Sequence, residues 1–369
     1  MPLSSLFLPV SFADLPGWAD DDHLPAFEAF RRSAFHVLTK SYRSGALGVT
    51  FDSFAQAYAD SRETLPKDSS EARHFFEKHF VPALVSPEDD AEHAFVTGFY
   101  EPMAEASPVR TEKFTVPLLE RPDDLADIDD KNRPADFDTY LAFGRQTDKE
   151  LVEYFDRDAI EQGALAGRGL EIAWLATKVD AFFIHVQGAA RLQMTDGSTK
   201  RLTYAAKSGQ RFTGIGKVLA DLGEIPLAKV TMQSIRAWLA RNPERVDEIL
   251  RKNRSYIFFC EAEVEDQALG PVAAAKVPLT PGRSVAVDRL LHTFGTPFYI
   301  TAPSLTAFGG SSFRRLMIAQ DTGSAILRPA RGDLFAGSGD ASGDIAGVVR
   351  NAADFYALLP KPLLEGRPR

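Results

Sequence analysis

Two aspartates near the end of the chain, Asp321 and Asp333, stand twelve residues apart in the stretch MIAQDTGSAILRPARGDLFAGSGD. Two carboxylates can share acid–base work, one giving a proton and the other taking one, or one can act while the other holds a loop together. Their contexts differ. Asp321 follows the apolar run LMIA and precedes Thr-Gly-Ser, which predicts a strand end. Asp333 stands among Gly332, Gly337 and Gly339, which permit tight turns and close approach of a ligand. The plainer alternative, that both are Asx-turn residues bonding their own backbone, stays open on these grounds.

Other chemistries lack their residues. Cys260 is the only cysteine and sits in the apolar run YIFFC, so a disulfide framework and a Cys-based zinc site are excluded. With no GxSxG motif, nucleophilic Ser or Cys catalysis has little support. His74 and His79 are five apart, not at the i, i+4 spacing of a zinc helix, and read as solvated or boundary histidines. GIGKVLADLG, from Gly214, lacks the third glycine of a dinucleotide fingerprint, and FGGSS at 308–312 lacks the lysine of a phosphate loop and reads as a turn. No metal and no cofactor is expected. The net charge of −9 argues against a nucleic-acid surface.

The elements around the aspartates follow from periodicity. The 369 residues favour two domains. The first hundred look helical: PAFEAFRRSAFHVLTK sets Phe27, Phe30, Ala34, Val37 and Leu38 on one stripe, TFDSFAQAY repeats the pattern, and SSEARHFFEKHF adds a third helix with Ser69 or Ser70 as N-cap. HAFVTGFYEP reads as a strand. A Pro/Asp-rich connection opens the middle region. There DAFFIHVQG alternates as a strand would, and Asp196-Gly197 marks a hairpin. Thr231 starts a helix with Ile235, Trp238 and Leu239 inward, and a shorter one runs through Val246, Ile249 and Leu250. The last hundred residues return to short strands and turns, suggesting a small β-barrel. MPLSSLFLPVSF carries no basic n-region and no lipid-acceptor cysteine, so the chain reads either as cytosolic or as lacking a targeting segment.

AQDTGSAI followed by RGDLFAGSGDASGDIAG resembles the signature of the lytic murein transglycosylase A family. The resemblance extends over roughly residues 95 to 360, through VTGFYEP, YFDRDAIEQGALAGRGLEIAWLATKVDAFFIHVQGAAR, NRSYIFF, PLTPGRSVAVD and GTPFYI. It implies a mainly β fold with a helical N-terminal part. A double-psi β-barrel catalytic domain would come from residues 1–104 and 266–369, with 1–90 largely helical. An inserted β-barrel glycan-binding domain would span 105–265, with a groove between the two. It further implies cleavage of the β-1,4 bond between N-acetylmuramic acid and N-acetylglucosamine in peptidoglycan, leaving a 1,6-anhydromuramoyl end. The expected partners are peptidoglycan strands and cell-wall synthesis or hydrolysis machinery. A monomer in the periplasm or at the outer membrane is expected.

Under that resemblance Asp333 is the catalytic acid and then the base, because the substrate's own C6 hydroxyl is the nucleophile. An Asp with pKa of about 3.9 is protonated in only about one molecule per thousand at pH 7. Raising that pKa to about 6 or 7 costs roughly 3 to 4 kcal/mol, which must come from apolar surroundings or a like charge. Leu334 and Phe335 offer the first and Asp321 the second. Arg328 and Arg331 oppose it, so both are expected to face glycan or solvent. Asp288 is a weaker candidate for the same neighbourhood. Thr97, Tyr100, Gln187 and Gly188 match family groove motifs, and Lys207 in TYAAKSG is similar to a family position. Two departures stand beside these: Gly323-Ser324 where the family often has two glycines, and Ala341 where it often has an acid. The rival readings are a two-carboxylate muramidase and a non-catalytic peptidoglycan-binding module.

Overall fold

In the computed structural model, which describes residues 2–87, 94–129 and 131–364, the N-terminal segment forms strand β1 (Phe7–Pro9) and three helices before β2 (Phe80–Val85) and β3 (Phe95–Glu101). Helix α1 (Leu24–His36) takes Pro25 in its first turn, where no amide is needed, and fully buries Phe27, Phe30 and Ala34. The stripe ends sooner than its spacing predicts: Val37 is the C-cap and Leu38 is exposed. Helix α2 (Ala55–Glu63) follows a 3-10 turn at Phe51–Phe54. Helix α3 (Ser69–His79) is capped by Asp68, whose carboxylate accepts the Glu71 amide, rather than by Ser69 or Ser70. Ser69 instead bonds the Asp21 carbonyl and the His23 amide, tying the helix start to a neighbouring loop. His74 is exposed, while His79 is buried 3.2 Å from Asp60. The chain divides into two compact units, Met1–Tyr100 with Val264–Arg369, and Glu101–Glu263.

The inserted unit contributes β4 (Met103–Ser107), β5 (Val116–Leu119), β6 (Leu125–Asp127), β7 (Phe143–Gln146), β8 (Leu151–Val152), β9 (Glu171–Leu175), β10 (Ala189–Met194), β11 (Thr199–Lys207) and β12 (Ile257–Glu261). Six of them form a sheet in the order β12-β11-β10-β4-β9-β5. A bridge from Glu120, just past β5, to Phe259 of β12 brings its two edges nearly to closure. β10 and β11 form the hairpin that Asp196-Gly197 predicts.

DAFFIHVQG is where the local reading fails. After the short turn α4 (Arg157–Ala159), this segment is helix α5 (Lys178–Gln187) rather than a strand. Thr177 caps it through the Asp180 amide, and Gly188 closes it at φ 74°, in the left-handed region. The helix is buried on two sides. Phe182 and Phe183 pack among the helices, while Ala181 and Ile184 enter the core of the six-stranded sheet. A segment that is apolar nearly all round carries no usable period, and the caps were the readable signal. Helices α6 (Ile215–Asp221), α7 (Met232–Arg241) and α8 (Val246–Leu250) complete the helical side, with Thr231 capping α7 as expected.

The chain then re-enters the first unit with β13 (Ser284–Ala286), β14 (Pro297–Ala302), β15 (Phe313–Asp321), β16 (Arg331–Ser338), helix α9 (Asp340–Val348), β17 (Arg350–Ala352) and β18 (Asp354–Pro360). Both chain ends supply one nine-stranded sheet, ordered β1-β2-β18-β14-β15-β13-β16-β3-β17. Its main core joins Phe27, Phe30, Phe54 and Phe76 of the helical layer to Val285, Phe298, Leu316 and Leu334 of the strands. Helix α9 lies where only strands and turns were expected; Gly339, at φ 83°, lets β16 turn into it.

The helical assignment of 178–187 gives Gly188 a structural duty. Gly188→Ala places a Cβ in the left-handed region, at a cost of about 1 to 2 kcal/mol. Thermal unfolding should show a melting temperature several degrees lower. An unchanged value contradicts the cap.

Candidate active site

Strand β13 runs between β15, its parallel partner, and β16, its antiparallel one. Val285 pairs with Ala319 and Ala286 with Asp321, so β15 holds one extra residue, Gln320, between the two pairs. Such a bulge re-aims the side chains that follow it. On its other side Ala286 pairs with Asp333. Asp321 and Asp333 thus flank Ala286, two strand spacings apart, or about 10 Å between Cα positions. Ala286 belongs to a buried cluster with Phe99, Leu279, Ile326 and Phe335, which forms an apolar floor. Val285, Ala319 and Leu334 belong to the main core. The Phe335 ring presses on Gly270, where any Cβ would collide with it.

Asp333 is half-buried and its two oxygens differ. Oδ1 accepts a 2.6 Å hydrogen bond from Thr97 Oγ1 on the neighbouring strand β3. Oδ2 has no hydrogen-bond partner among the described residues and is not sealed from solvent. The Thr97 hydroxyl accepts in turn from Arg331 Nη2 at 2.6 Å. Arg331 therefore does not face outward as its charge suggested. Strand alternation puts residues 331 and 333 on one face. The guanidinium lies 5.3 Å from the Phe95 ring centroid and bonds the Gly332 carbonyl. Burial pushes the Asp333 carboxyl above the ordinary carboxylate range, and the Arg331 charge and the Thr97 hydroxyl pull it only partly back. Arg328, by contrast, is exposed as expected, at φ 95°.

Asp321 is held differently. Its Oδ1 accepts the Ala274 amide at 3.2 Å, and the Thr322 amide also bonds the carboxylate. Burial raises its pKa to about 6; the two amides oppose the rise and the Asp333 charge adds to it. Asp288 is buried and engaged with backbone, accepting the Leu290 amide at 3.0 Å and the Arg328 amide at 3.3 Å. Together with His292 Nε2, 2.7 Å from the Pro329 carbonyl, it pins the loop that joins β15 to β16. Tyr100 is buried, with its ring against α9 at Gly343, where an added Cβ would sit 2.9 Å from Cε2.

Of the expected site residues, Thr97, Asp321 and Asp333 converge on one face of the first unit, with Asp288 bracing a loop beside it. Gln187, Gly188 and Lys207 belong to the inserted unit. Gln187 ends α5, Gly188 is its cap, and Lys207 ends β11 with Nζ 4.8 Å from the Tyr140 ring centroid. Local sequence reasoning missed Arg331, Gln320 and the Ala274 amide. Only the two-residue period of β16 carried a readable signal for Arg331.

The middle of the chain, residues 95–260, matches the MltA specific insert domain, and residues 283–359 match the 3D domain. The crystal structure of a membrane-bound lytic murein transglycosylase from Agrobacterium tumefaciens is 50% identical, with 97% of this chain and 99% of that chain covered and a TM-score of 0.92. MltA from Neisseria gonorrhoeae is 30% identical over 96% of this chain and 92% of its own, with a TM-score of 0.78. The membrane-bound lytic murein transglycosylase A of Vibrio cholerae is 36% identical over 208 residues, a stretch spanning 55% of this chain and 55% of that relative. The fold is the expected one, mainly β with N-terminal helices, a double-psi β-barrel from both chain ends and a second β-barrel inserted between them. This chain belongs to the MltA family of lytic murein transglycosylases.

Proposed function

We propose that the chain cleaves the β-1,4 bond between N-acetylmuramic acid and N-acetylglucosamine in peptidoglycan as a lytic transglycosylase, with Asp333 as the single proton-transfer group. The observation that carries this is the state of Asp333: a carboxyl raised by burial, fixed at Oδ1 by Thr97, with no hydrogen bond to Oδ2 among the described residues. Protonated Oδ2 gives its proton to the glycosidic oxygen as positive charge develops at C1. The carboxylate then takes the proton of the same sugar's C6 hydroxyl, and O6 closes on C1. No water is consumed. The nucleophile is already attached to the sugar, so its effective concentration is high without a positioned water. Thr97, backed by Arg331, stabilises the carboxylate between the two transfers. In this reading residues 1–104 and 266–369 carry the catalysis. The inserted unit, with Gln187, Gly188 and Lys207, binds glycan. Such a substrate sets the place of action at the cell wall; among the described residues no helix is long and apolar enough to cross a membrane.

A two-carboxylate hydrolase is the second reading, and the raised Asp321 favours it. It requires that carboxylate to activate a water, whereas backbone amides already occupy it. Product mass separates the two, because anhydro ends are one water lighter than reducing ends. Asp333→Asn should lower fragment release from sacculi by at least about a hundredfold, the scale of a lost general acid, while pelleting with sacculi persists. Asp321→Asn should keep measurable release of anhydro fragments. Reducing ends, or near-normal release by Asp333→Asn, refute the proposal.

Two pH dependences follow. Arg331 draws the Asp333 pKa down, so Arg331→Met should raise it and move the basic limb of kcat/KM to higher pH; a limb that stays or falls contradicts this. The Asp321 pKa of about 6 lies above its ordinary 3.8, so the folded state favours the protonated form. Its stabilising contribution is full below the ordinary value and is lost as pH rises through 6, a difference of at most about 3 kcal/mol. Asp321→Asn should therefore raise the melting temperature above pH 7 and leave it nearly unchanged below pH 4. The reverse pattern contradicts the assignment.

A further inference from the structure

The first ninety residues carry little of the family's motif pattern, yet they reach the site through one chain of hydrogen bonds. Gln320, the extra residue of the bulge, is fully buried. Its Nε2 donates to Ser33 Oγ at 2.9 Å and to the Ala29 carbonyl at 2.7 Å, both on α1. Its Oε1 accepts from Ser284 Oγ of β13 at 2.6 Å. Tyr42 Oη donates to the Ala275 carbonyl at 2.8 Å, and the nearby Ser33 side chain opposes the rise that burial gives the Tyr42 pKa. The Ala275 amide returns to the Gln320 carbonyl at 3.0 Å. Hydrogen bonds thereby join Ser33, Gln320, Ala275 and Tyr42 in one chain.

The chain passes through the turn that grips Asp321. Residues 273–277 fold back on themselves through the Ala273 amide to the Val277 carbonyl, 3.1 Å, and the Lys276 amide to the Ala273 carbonyl, 2.9 Å. Lys276 holds φ 60°, a left-handed conformation that a lysine adopts only when its surroundings impose it. Ala274, inside this turn, supplies the amide on Asp321 Oδ1. Tyr42 meets the turn from outside, its ring packed against His36 at 5.6 Å, Phe294 at 5.8 Å and Phe51 at 6.3 Å.

We propose that Tyr42 and Ser33 are positioning residues for the reaction: through the hydrogen-bonded chain at Gln320 the N-terminal helical layer fixes the Ala274 amide on Asp321 and so sets that carboxylate beside Asp333. The inference rests on the transglycosylase reading for its effect on turnover, but its structural content is independent of it. Removing either hydroxyl shortens the chain at one end, loosens the turn at Ala275 and weakens the Ala274 amide, which favours the charged form of Asp321. Asp333, across β13, is the charged group that acts on Asp321; His36, against the Tyr42 ring, and Lys276, in the turn, are the other titratable groups beside these hydrogen bonds.

The test uses Tyr42→Phe and Ser33→Ala, each removing a hydroxyl while preserving the rest of the shape, and their combination. Asp321 is titrated by carboxyl-carbon NMR, and turnover on purified sacculi is followed by mass spectrometry. Each single variant should raise the Asp321 midpoint by about half a pH unit, the scale of one lost hydrogen bond. Each should also lower kcat several-fold at an unchanged KM. The double variant should shift the midpoint by less than the sum of the single ones, because both act through the same Gln320–Ala275 link. An unmoved Asp321 midpoint in both single variants overturns the proposal, as do additive shifts in the double variant. If the unaltered chain releases no anhydro fragments while the midpoints shift as stated, the transglycosylase reading fails and the positioning role stands.

Discussion

The site depends on one extra residue in a β-ladder. Between the pairs Val285–Ala319 and Ala286–Asp321, Gln320 has no opposite number on β13. In an unbroken strand side chains alternate, so the residue after Ala319 would face the floor around Ala286 and the next would return to the main core. The bulge reverses that order. Asp321 reaches the face that holds Asp333, while Gln320 turns to α1 and Ser284. A shift of this kind is tolerable only if the displaced polar residue is satisfied, because an unpaired buried amide costs about 1 to 3 kcal/mol. The three side-chain hydrogen bonds of Gln320 meet that condition.

The two aspartates share a floor and a direction of pKa change, yet their bonding separates their roles. Both carboxyls are raised chiefly by burial. Asp321 is held by backbone amides, which are rigid and cannot follow a moving proton. Asp333 is held by a hydroxyl, backed by Arg331, and among the described residues its other oxygen has no hydrogen-bond partner. In the proposed mechanism, an acid that becomes a base within one turnover needs both protonation states within reach. Burial alone would lock the carboxyl neutral, and an adjacent arginine alone would lock it ionised. The Thr97 hydroxyl between Arg331 and Asp333 passes on part of the cation's influence without a direct ion pair. The observed balance is a raised pKa opposed by two weaker effects.

What was legible in the sequence divides by physical origin. Signals that a few neighbouring residues settle were readable: the Asp196-Gly197 hairpin, the Thr231 cap, the strand end at Asp321. The α5 segment was not, because Phe182, Phe183 and Ile184 are all buried and erase the period, leaving Thr177 and Gly188 as the only marks of a helix. The orientation of Arg331 turned on whether β16 starts at that residue, and the bulge at Gln320 exists only as a relation to β13. The glycines near Asp333 also mean different things in place. Gly339 does turn the chain. Gly332 has no Cβ because Phe355 and Val285 fill that space, at 2.9 and 3.0 Å. It is a packing glycine, and a sequence cannot distinguish the two.

The floor also limits which chemistry the site can host. A hydrolase must admit and orient a water beside its catalytic carboxylates, and a polar pocket for that water would lower the pKa of the acid it serves. A reaction whose nucleophile is the substrate's own hydroxyl carries no such requirement. The surroundings of Asp333 can then be as apolar as Ala286, Phe99 and Phe335 make them. The burial that raises the Asp333 carboxyl is compatible with that reaction. Under the proposed mechanism, burial of one carboxyl and an internal nucleophile are therefore two aspects of one design.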